Sequence, residues 1–439
     1  MPLSTHSHSA PPELLAPARE HSAGRLPPAP SQASLRLPPL ALCAALYALS
    51  IGVLLTSHLG HGWGFGDLAV YRVGATAALH GAPLYRLRFP GALAFTYPPI
   101  AALLFTGLTL PSAGTAELLL SAASLLALPA MLGFSLRLAP VPSWLGRRDA
   151  ARVALLAAAA AIWLEPVWTT LRYGQIDVLL AALVLYDLSR PDSARSKGVA
   201  TGLAIALKLT PAIFALYLLL SRRYRAAACA TAVFAATVAL GFAALPGDSR
   251  EYWGGAFADS GRVGRVENAA NQALRGTYAR VLHTLDVQTV WLLSAVAVGV
   301  AGLALAAAAA RRGDEAGGFC LCALTGLLVS PISWSHHWTL AVPALLLFAL
   351  GSLRRRSRAG LLASAVIALI ALAHVIWWVP VNHPRHSELH LDALQLVYAD
   401  AYVLTGLAAL ALGAYARTPK ERRLVSHSQS SRLPFARRR

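Results

Sequence analysis

Residues 38–58 read PPLALCAALYALSIGVLLTSH, a block with no acid, lysine or arginine, opened by two prolines and followed by a run of glycines. Crossing the hydrocarbon core of a bilayer takes a helix of about 20 apolar residues, and this block supplies them. No compact signal-peptide pattern precedes Leu40, so the block reads as a signal anchor kept in the mature protein. Directly beyond it the chain changes character. Gly60, Gly62 and Gly64 lead into Gly66-Asp67-Leu68-Ala69-Val70-Tyr71-Arg72 and then Gly81-Ala82-Pro83-Leu84-Tyr85, and no Asp or Glu stands between Glu20 and Asp67. One carboxylate is thereby placed beside a membrane surface.

The rest of the chain repeats the first block. Of 439 residues, 56% are hydrophobic and only 13% charged, and the mean hydropathy is +0.54; a soluble domain carries about a quarter charged residues. Apolar blocks follow at 97–111, 114–137, 150–165, 174–188, 224–245, 287–310, 316–331, 337–352, 360–379 and 395–414. They predict an all-α polytopic integral membrane protein with about 11–13 transmembrane helices, counted at the length a span requires. Two further blocks, 198–207 and 211–221, flank Lys208-Leu209-Thr210-Pro211. Each is far below the ~20 residues of a crossing, so they read as broken helices, tolerated in a membrane only where the backbone lines a polar cavity.

The formal net charge of +18 comes from arginines gathered between apolar blocks, with no nucleic-acid-binding motif beside them. They mark cytoplasmic loops and contact anionic lipid, and nucleic acid is excluded as a partner. The clusters at Arg222-Arg223-Tyr224-Arg225, Arg311-Arg312 and Arg354-Arg355-Arg356 set the orientation. Residues 246–286, 330–338 and 381–394 then face outward, as does the loop 59–96 with a short interfacial helix after Asp67. Full crossings at both 97–111 and 114–137 would put Arg137, Arg147, Arg148 and Arg152 outside, so one block between 97 and 165 is not a complete span. Three regions result: a disordered cytoplasmic tail (1–37), a membrane domain (38–415) and a basic cytoplasmic tail (416–439). Cys43, Cys229, Cys320 and Cys322 all lie in apolar blocks without zinc-ligand spacing and read as free structural thiols.

Polar residues inside such a domain are costly unless paired or functional. Asp67 suits either the N-cap of the helix that follows or a general base at the water boundary. Tyr97-Pro98-Pro99 reads as a helix start, with Tyr97 turned to the same cavity. Glu165, Arg172, Gln175 and Asp177 sit in one outward turn and must pair with one another or with a ligand, while Asp187 reads as structural. Lys208, an isolated ammonium between two half-helices, asks for a counter-ion such as phosphate. Arg262, Arg265, Asn268, Asn271, Gln272 and Arg275 concentrate the amides and guanidiniums that grip sugars and phosphates. Ser333-Trp334-Ser335-His336-His337-Trp338 interrupts two apolar blocks; adjacent histidines lack the i, i+4 spacing of a helical zinc site. His374, His383, His386 and His390 are given no role.

Six stretches together resemble glycosyltransferase family 87: the Asp67 and Tyr85 segments, Phe95-x-Tyr97-Pro98-Pro99, Gly174-Gln175-Ile176-Asp177-Val178-Leu179-Leu180, Leu207-Lys208-Leu209-Thr210-Pro211, Asn271-Gln272-x-Leu274-Arg275-Gly276, and Ser330-Pro331-Ile332-Ser333-Trp334-x-His336-His337-Trp338. The resemblance implies a GT-C type fold and an inverting transfer of mannose from polyprenol-phosphate mannose to a mannosyl glycolipid of phosphatidylinositol mannoside or lipomannan type. The linkage made would be α-(1→2), on the outer face of the plasma membrane. It implies Asp67 as catalytic base and Lys208, Arg275, His336 and His337 around the donor phosphate. Tyr71, Tyr97, Gln175, Asn271, Gln272 and Trp334 are the expected sugar and acceptor contacts, with no metal and no cofactor. Where the family pattern has Asn, this chain has Asp177. An arabinofuranose donor, or a transporter or flippase for a lipid-linked sugar, would use much of the same chemistry; the latter calls for a second broken hairpin, and the sequence has one.

Overall fold

A computed structural model describes residues 37–87, 93–139, 147–382 and 384–415. The two tails, but for residue 37, and His383 lie outside these. The first block forms α1 (Leu40–His61), and the glycine run ends at α2 (Gly66–Leu79). Pro98 and Pro99 do open a helix, α3 (Pro99–Leu104), with Pro98 as its cap, and it runs on as a 3-10 turn to Thr109. Next come α4 (Ala113–Leu136), whose N-cap Ser112 accepts from the Thr115 amide, α5 (Arg147–Ala161), α6 (Glu165–Tyr173) and α7 (Asp177–Leu188). The expected break at Lys208 is present: α8 (Val199–Leu207) stops there and α9 (Ala212–Leu220) restarts after Pro211.

The second half holds α10 (Tyr224–Ala244), α11 (Pro246–Glu251), α12 (Leu274–Val281), α13 (Gln288–Arg311), α14 (Glu315–Val329), α15 (Ala341–Arg354), α16 (Arg358–Leu372), α17 (Ala393–Ala399) and α18 (Ala401–Tyr415). Among the described residues the only β pairing is an isolated bridge between Asn271 and Trp334. The chain is therefore an all-α, multi-pass membrane protein. Among the described residues five helical segments are long and apolar enough to cross, or seven when the bent pairs α5–α6 and α17–α18 each count as one. The larger expectation of 11–13 counted apolar blocks; several of these are shorter helices, such as Pro99–Thr109, Glu315–Val329 and Arg358–Leu372. Of the blocks between 97 and 165, one of which is expected to fall short of a full span, Pro99–Thr109 is a short apolar helix, and α5 meets α6 at a 73° bend.

One large buried core joins most of the helices from α1 to α18, a small second cluster gathers Ala269, Val379, Leu391 and Ala399, and α13 lies along α14, α4 along α7, α1 along α5 and α8 along α10. Leucines on the rim, such as Leu126 and Leu293, stay exposed as lipid contacts require. Asp187 is structural as expected: its carboxylate accepts from the Gly198 amide at 2.8 Å and the Thr201 hydroxyl at 2.7 Å. Gly198 has φ +106°, and a Cβ there would stand 2.2 Å from the Ala226 carbonyl oxygen, so only glycine lets α8 enter against α10. All four cysteines are free.

Gly174 positions the site. It ends α6 with φ +67°, and an added Cβ would lie 2.8 Å from the Leu68 Cβ of α2. Gly174→Ala is expected to cost about 1–2 kcal/mol from backbone conformation alone and to push α2, with Asp67, off its seat. A lowered thermal midpoint together with reduced turnover in the purified variant checks this.

Candidate functional site

Asp67 is not a cap. The residue at the N-cap of α2 is Phe65, held in the left-handed region at φ 40° with no side-chain capping bond, and Asp67 lies inside the first turn. There a carboxylate is favoured by the positive end of the helix. The Asp67 side chain meets Gln175, which hydrogen-bonds it; since the amide oxygen of Gln175 is engaged elsewhere, its NH2 group is the donor. Tyr71, one turn further along the same face, donates to Gln175 Oε1 at 2.7 Å. Lys208 Nζ, from the gap between α8 and α9, approaches the same oxygen at 3.5 Å and Asp177 Oδ1 at 2.7 Å. One buried amide therefore stands between a carboxylate on α2 and an ammonium in a broken helix.

His336 and His337 close the far side. They occupy a 3-10 turn, Ser335–Leu340, with their rings edge to face at 4.8 Å. His336 Nε2 lies 3.9 Å from Asp177 Oδ2. Both atoms are buried without a hydrogen-bond partner among the described residues, which is unusual for polar atoms in a native core. A cavity of about 220 Å³ starts from Asp177, His337 and Ser333 and continues between Leu180, Phe214 and Leu327. Its lining thus combines a few polar side chains with a larger number of apolar ones.

Asp177, His336 and His337 bring three ligand atoms within 4.8 Å of one another, the one such group among the described residues. Adjacent histidines gave no sign of it in sequence, because the third member comes from α7. As a metal site the set is poor: the ammonium of Lys208 already compensates Asp177, and a dication beside it would meet like charge. The group suits an anion approaching Lys208 and the imidazoles better.

Glu165 is fully buried and supports the histidine turn. It accepts from Thr169 and Ser335 at 2.7 Å, Trp377 Nε1 at 3.0 Å and Tyr402 at 3.0 Å. Thr170 and Thr339 add a 3.0 Å bond between α6 and the turn. Sequence reading placed Glu165 and Asp177 in one turn needing partners; the structure gives them separate ones, and leaves Arg172 exposed.

The other residues expected at the site have these surroundings. Tyr71 is fully buried, and its hydroxyl meets Gln175 and, at 3.1 Å, Tyr97. Tyr97 lies beside it. Asn271 and Gln272 are also fully buried, with both ends of each amide on backbone: Asn271 between Val266 and Ser333, Gln272 between Ala269, Ala399 and Tyr402. Through Asn271 and the Gln272 backbone the loop is fastened to Ser333 of the histidine segment. Trp334 packs against Gly264, where a Cβ would stand 2.5 Å from its ring. Arg275 has no contact with Lys208 or the histidines; it donates to Ser260 and lies over Trp291 at 5.2 Å.

The electrostatics at Asp67 favour a base working near neutral pH. Burial pushes its carboxyl up to about 6, against the lowering effects of the Gln175 hydrogen bond and the Lys208 charge and with a smaller push from Asp177.

The family model of Glycosyltransferase family 87 matches residues 95–331, which includes Gln175, Asp177 and Lys208. A polyprenol-phosphate-mannose-dependent alpha-(1-2)-phosphatidylinositol mannoside mannosyltransferase of Mycobacterium tuberculosis is 36% identical over 78% of this chain and 83% of its own. The corresponding phosphatidylinositol pentamannoside mannosyltransferase of Mycolicibacterium smegmatis is 33% identical over 89% and 94%. No solved structure matches. With the family model covering more than half of the chain and these relatives at least 33% identical over more than three quarters of it, the protein belongs to glycosyltransferase family 87.

Proposed function

We propose that the protein transfers mannose from polyprenol-phosphate mannose to a mannosylated glycolipid of the phosphatidylinositol mannoside or lipomannan type. An α-(1→2) bond forms on the outer face of the plasma membrane. The observation that carries the reading is the single line Asp67–Gln175–Lys208: a base and a cation fixed on opposite sides of one amide. The relatives' names supply the donor and acceptor classes.

The donor phosphate lies against Lys208, His336 and His337, and its prenyl chain descends the apolar part of the cavity between α7, α9 and α14. The acceptor hydroxyl points at Asp67. As that oxygen attacks the anomeric carbon of a β-linked donor, its proton passes to Asp67, the carbon–oxygen bond to phosphate breaks, and the product has inverted, α geometry. The bonding pair leaves on the phosphate, where the ammonium and imidazoles stabilise it; preorganised charge of this kind supplies a large share of many barriers. Asp177 keeps Lys208 aligned while the phosphate is absent.

Transfer of radiolabelled mannose by purified protein in lipid, from polyprenol-phosphate mannose to a mannosylated phosphatidylinositol, tests the proposal. Product is expected; its absence, with transfer from an arabinofuranosyl donor, would replace the sugar. The base must be ionised, so kcat/KM should fall about tenfold per pH unit below an apparent pKa near 6. A flat profile between pH 5 and 7 would remove Asp67 from proton transfer.

A further inference from the structure

Four arginines lie on the long segment between α11 and the end of α12, and they divide into two kinds. Arg265 pairs with Glu267 at 3.3 Å and Glu388 at 3.1 Å, and Arg280 is buried on Asp400. Arg262 and Arg275 have no carboxylate partner among the described residues. Arg262 donates to the Tyr85 carbonyl at 2.7 Å with its guanidinium over the Tyr85 ring at 5.7 Å. Arg275 donates to Ser260, lies over Trp291, and keeps its Nε buried without a partner. Burial pulls the Arg275 guanidinium below its ordinary pKa. Ser260 and Arg262 share one 3-10 turn, Ser260–Arg262, so the hydrogen bond to Ser260 ties Arg275 to the turn that carries Arg262.

A half-buried guanidinium without an acid is an anion site awaiting its anion. Two further features say which anion. Trp291 stands at the start of α13, where Leu292 and Leu293 are 51% and 68% exposed, as side chains facing lipid are; Arg275 is held at the level where hydrocarbon gives way to headgroups. Tyr85, under Arg262, also donates to the Tyr97 carbonyl at 2.8 Å, and the Tyr97 hydroxyl reaches Gln175 Oε1 at 3.5 Å. A ligand on Arg262 is therefore two tyrosines from the amide that holds Asp67.

We infer that Arg262, Arg275 and Ser260 form a second phosphate site, which takes the phosphodiester of the acceptor phospholipid while its sugars extend toward Asp67. The inference rests on the acceptor class proposed above. It divides the labour between the cations: Lys208 and the histidines hold the phosphate that leaves, and the arginine pair holds one that only anchors.

The test compares two acceptors in the same preparation: a phosphatidylinositol mannoside, and an alkyl α-mannoside, which has the sugar but no phosphate. Arg275→Gln and Arg262→Gln are expected to lower the ratio of kcat/KM values, phospholipid over alkyl mannoside, by tenfold or more, through KM for the phospholipid. A ratio taken within one variant is independent of how much of the protein is folded. Equal losses on both acceptors, or an effect confined to KM for the donor, would overturn the site. Absence of transfer by the wild type would instead defeat the acceptor reading itself, and so be distinguishable.

Discussion

Asp67→Asn protein is expected to fold normally and to transfer sugar about 10³-fold more slowly than wild type, in the range that positioned general bases contribute. The asparagine has the same shape and can still accept from Gln175, so the hydrogen bond that fixes α2 on the α6–α7 turn survives; what disappears is a group able to take a proton. Stability should not fall. The carboxyl of Asp67 has a folded-state pKa near 6, above its ordinary value. A group shifted this way binds protons more tightly when folded, so wild-type stability declines as pH rises from about 4 to about 6 and the full cost of the buried charge is carried above that. Asparagine carries none of it. The thermal midpoint at pH 7.5 should therefore be equal or higher, and turnover close to wild type would end the mechanism.

Lys208→Ala is expected to be nearly as damaging, for two separable reasons. Transfer loses the cation beside the leaving phosphate, an effect of about 10²–10³-fold for a preorganised donor. Folding loses the partner of Asp177, and an ion pair broken from one side in a buried setting costs about 3–5 kcal/mol. A double variant, Lys208→Ala with Asp177→Asn, separates them: it should recover most of the lost thermal stability and none of the activity. Recovery of both would mean that Lys208 serves only the fold.

The halves of this site differ in how far they can be read from the sequence. Asp67 is visible because an acid directly after a membrane block, with glycines around it, is costly and local. Lys208 is visible because nine-residue helices cannot span, and a charge between them needs a reason. The pairing of Lys208 with Asp177, 31 positions earlier, is not visible: it depends on α7 and α8 packing side by side, and nothing in either segment encodes the choice of partner. The amides of Asn271 and Gln272 show the converse. Composition tells that they will hydrogen-bond, and backbone carbonyls satisfy an amide as well as a sugar does. The span count differs for a related reason, since an apolar block in sequence reads the same whether it becomes a long helix or one of the shorter ones such as Glu315–Val329 and Arg358–Leu372.

Glu165 bears on the order in which the molecule is made. Its four donors are Thr169, Ser335, Trp377 and Tyr402, the last 237 residues further along the chain. Until α18 has entered the membrane, this carboxylate lacks the Tyr402 hydroxyl and the turn carrying His336 and His337 is incompletely tethered. Asp67, Gln175 and Lys208 emerge much earlier, yet they are without a finished opposite wall until nearly the whole chain has been synthesised. A nascent chain thus carries Asp67 and Lys208 for a long stretch of translation as an incomplete centre, and α18, the last of the described helices, is the one that completes it.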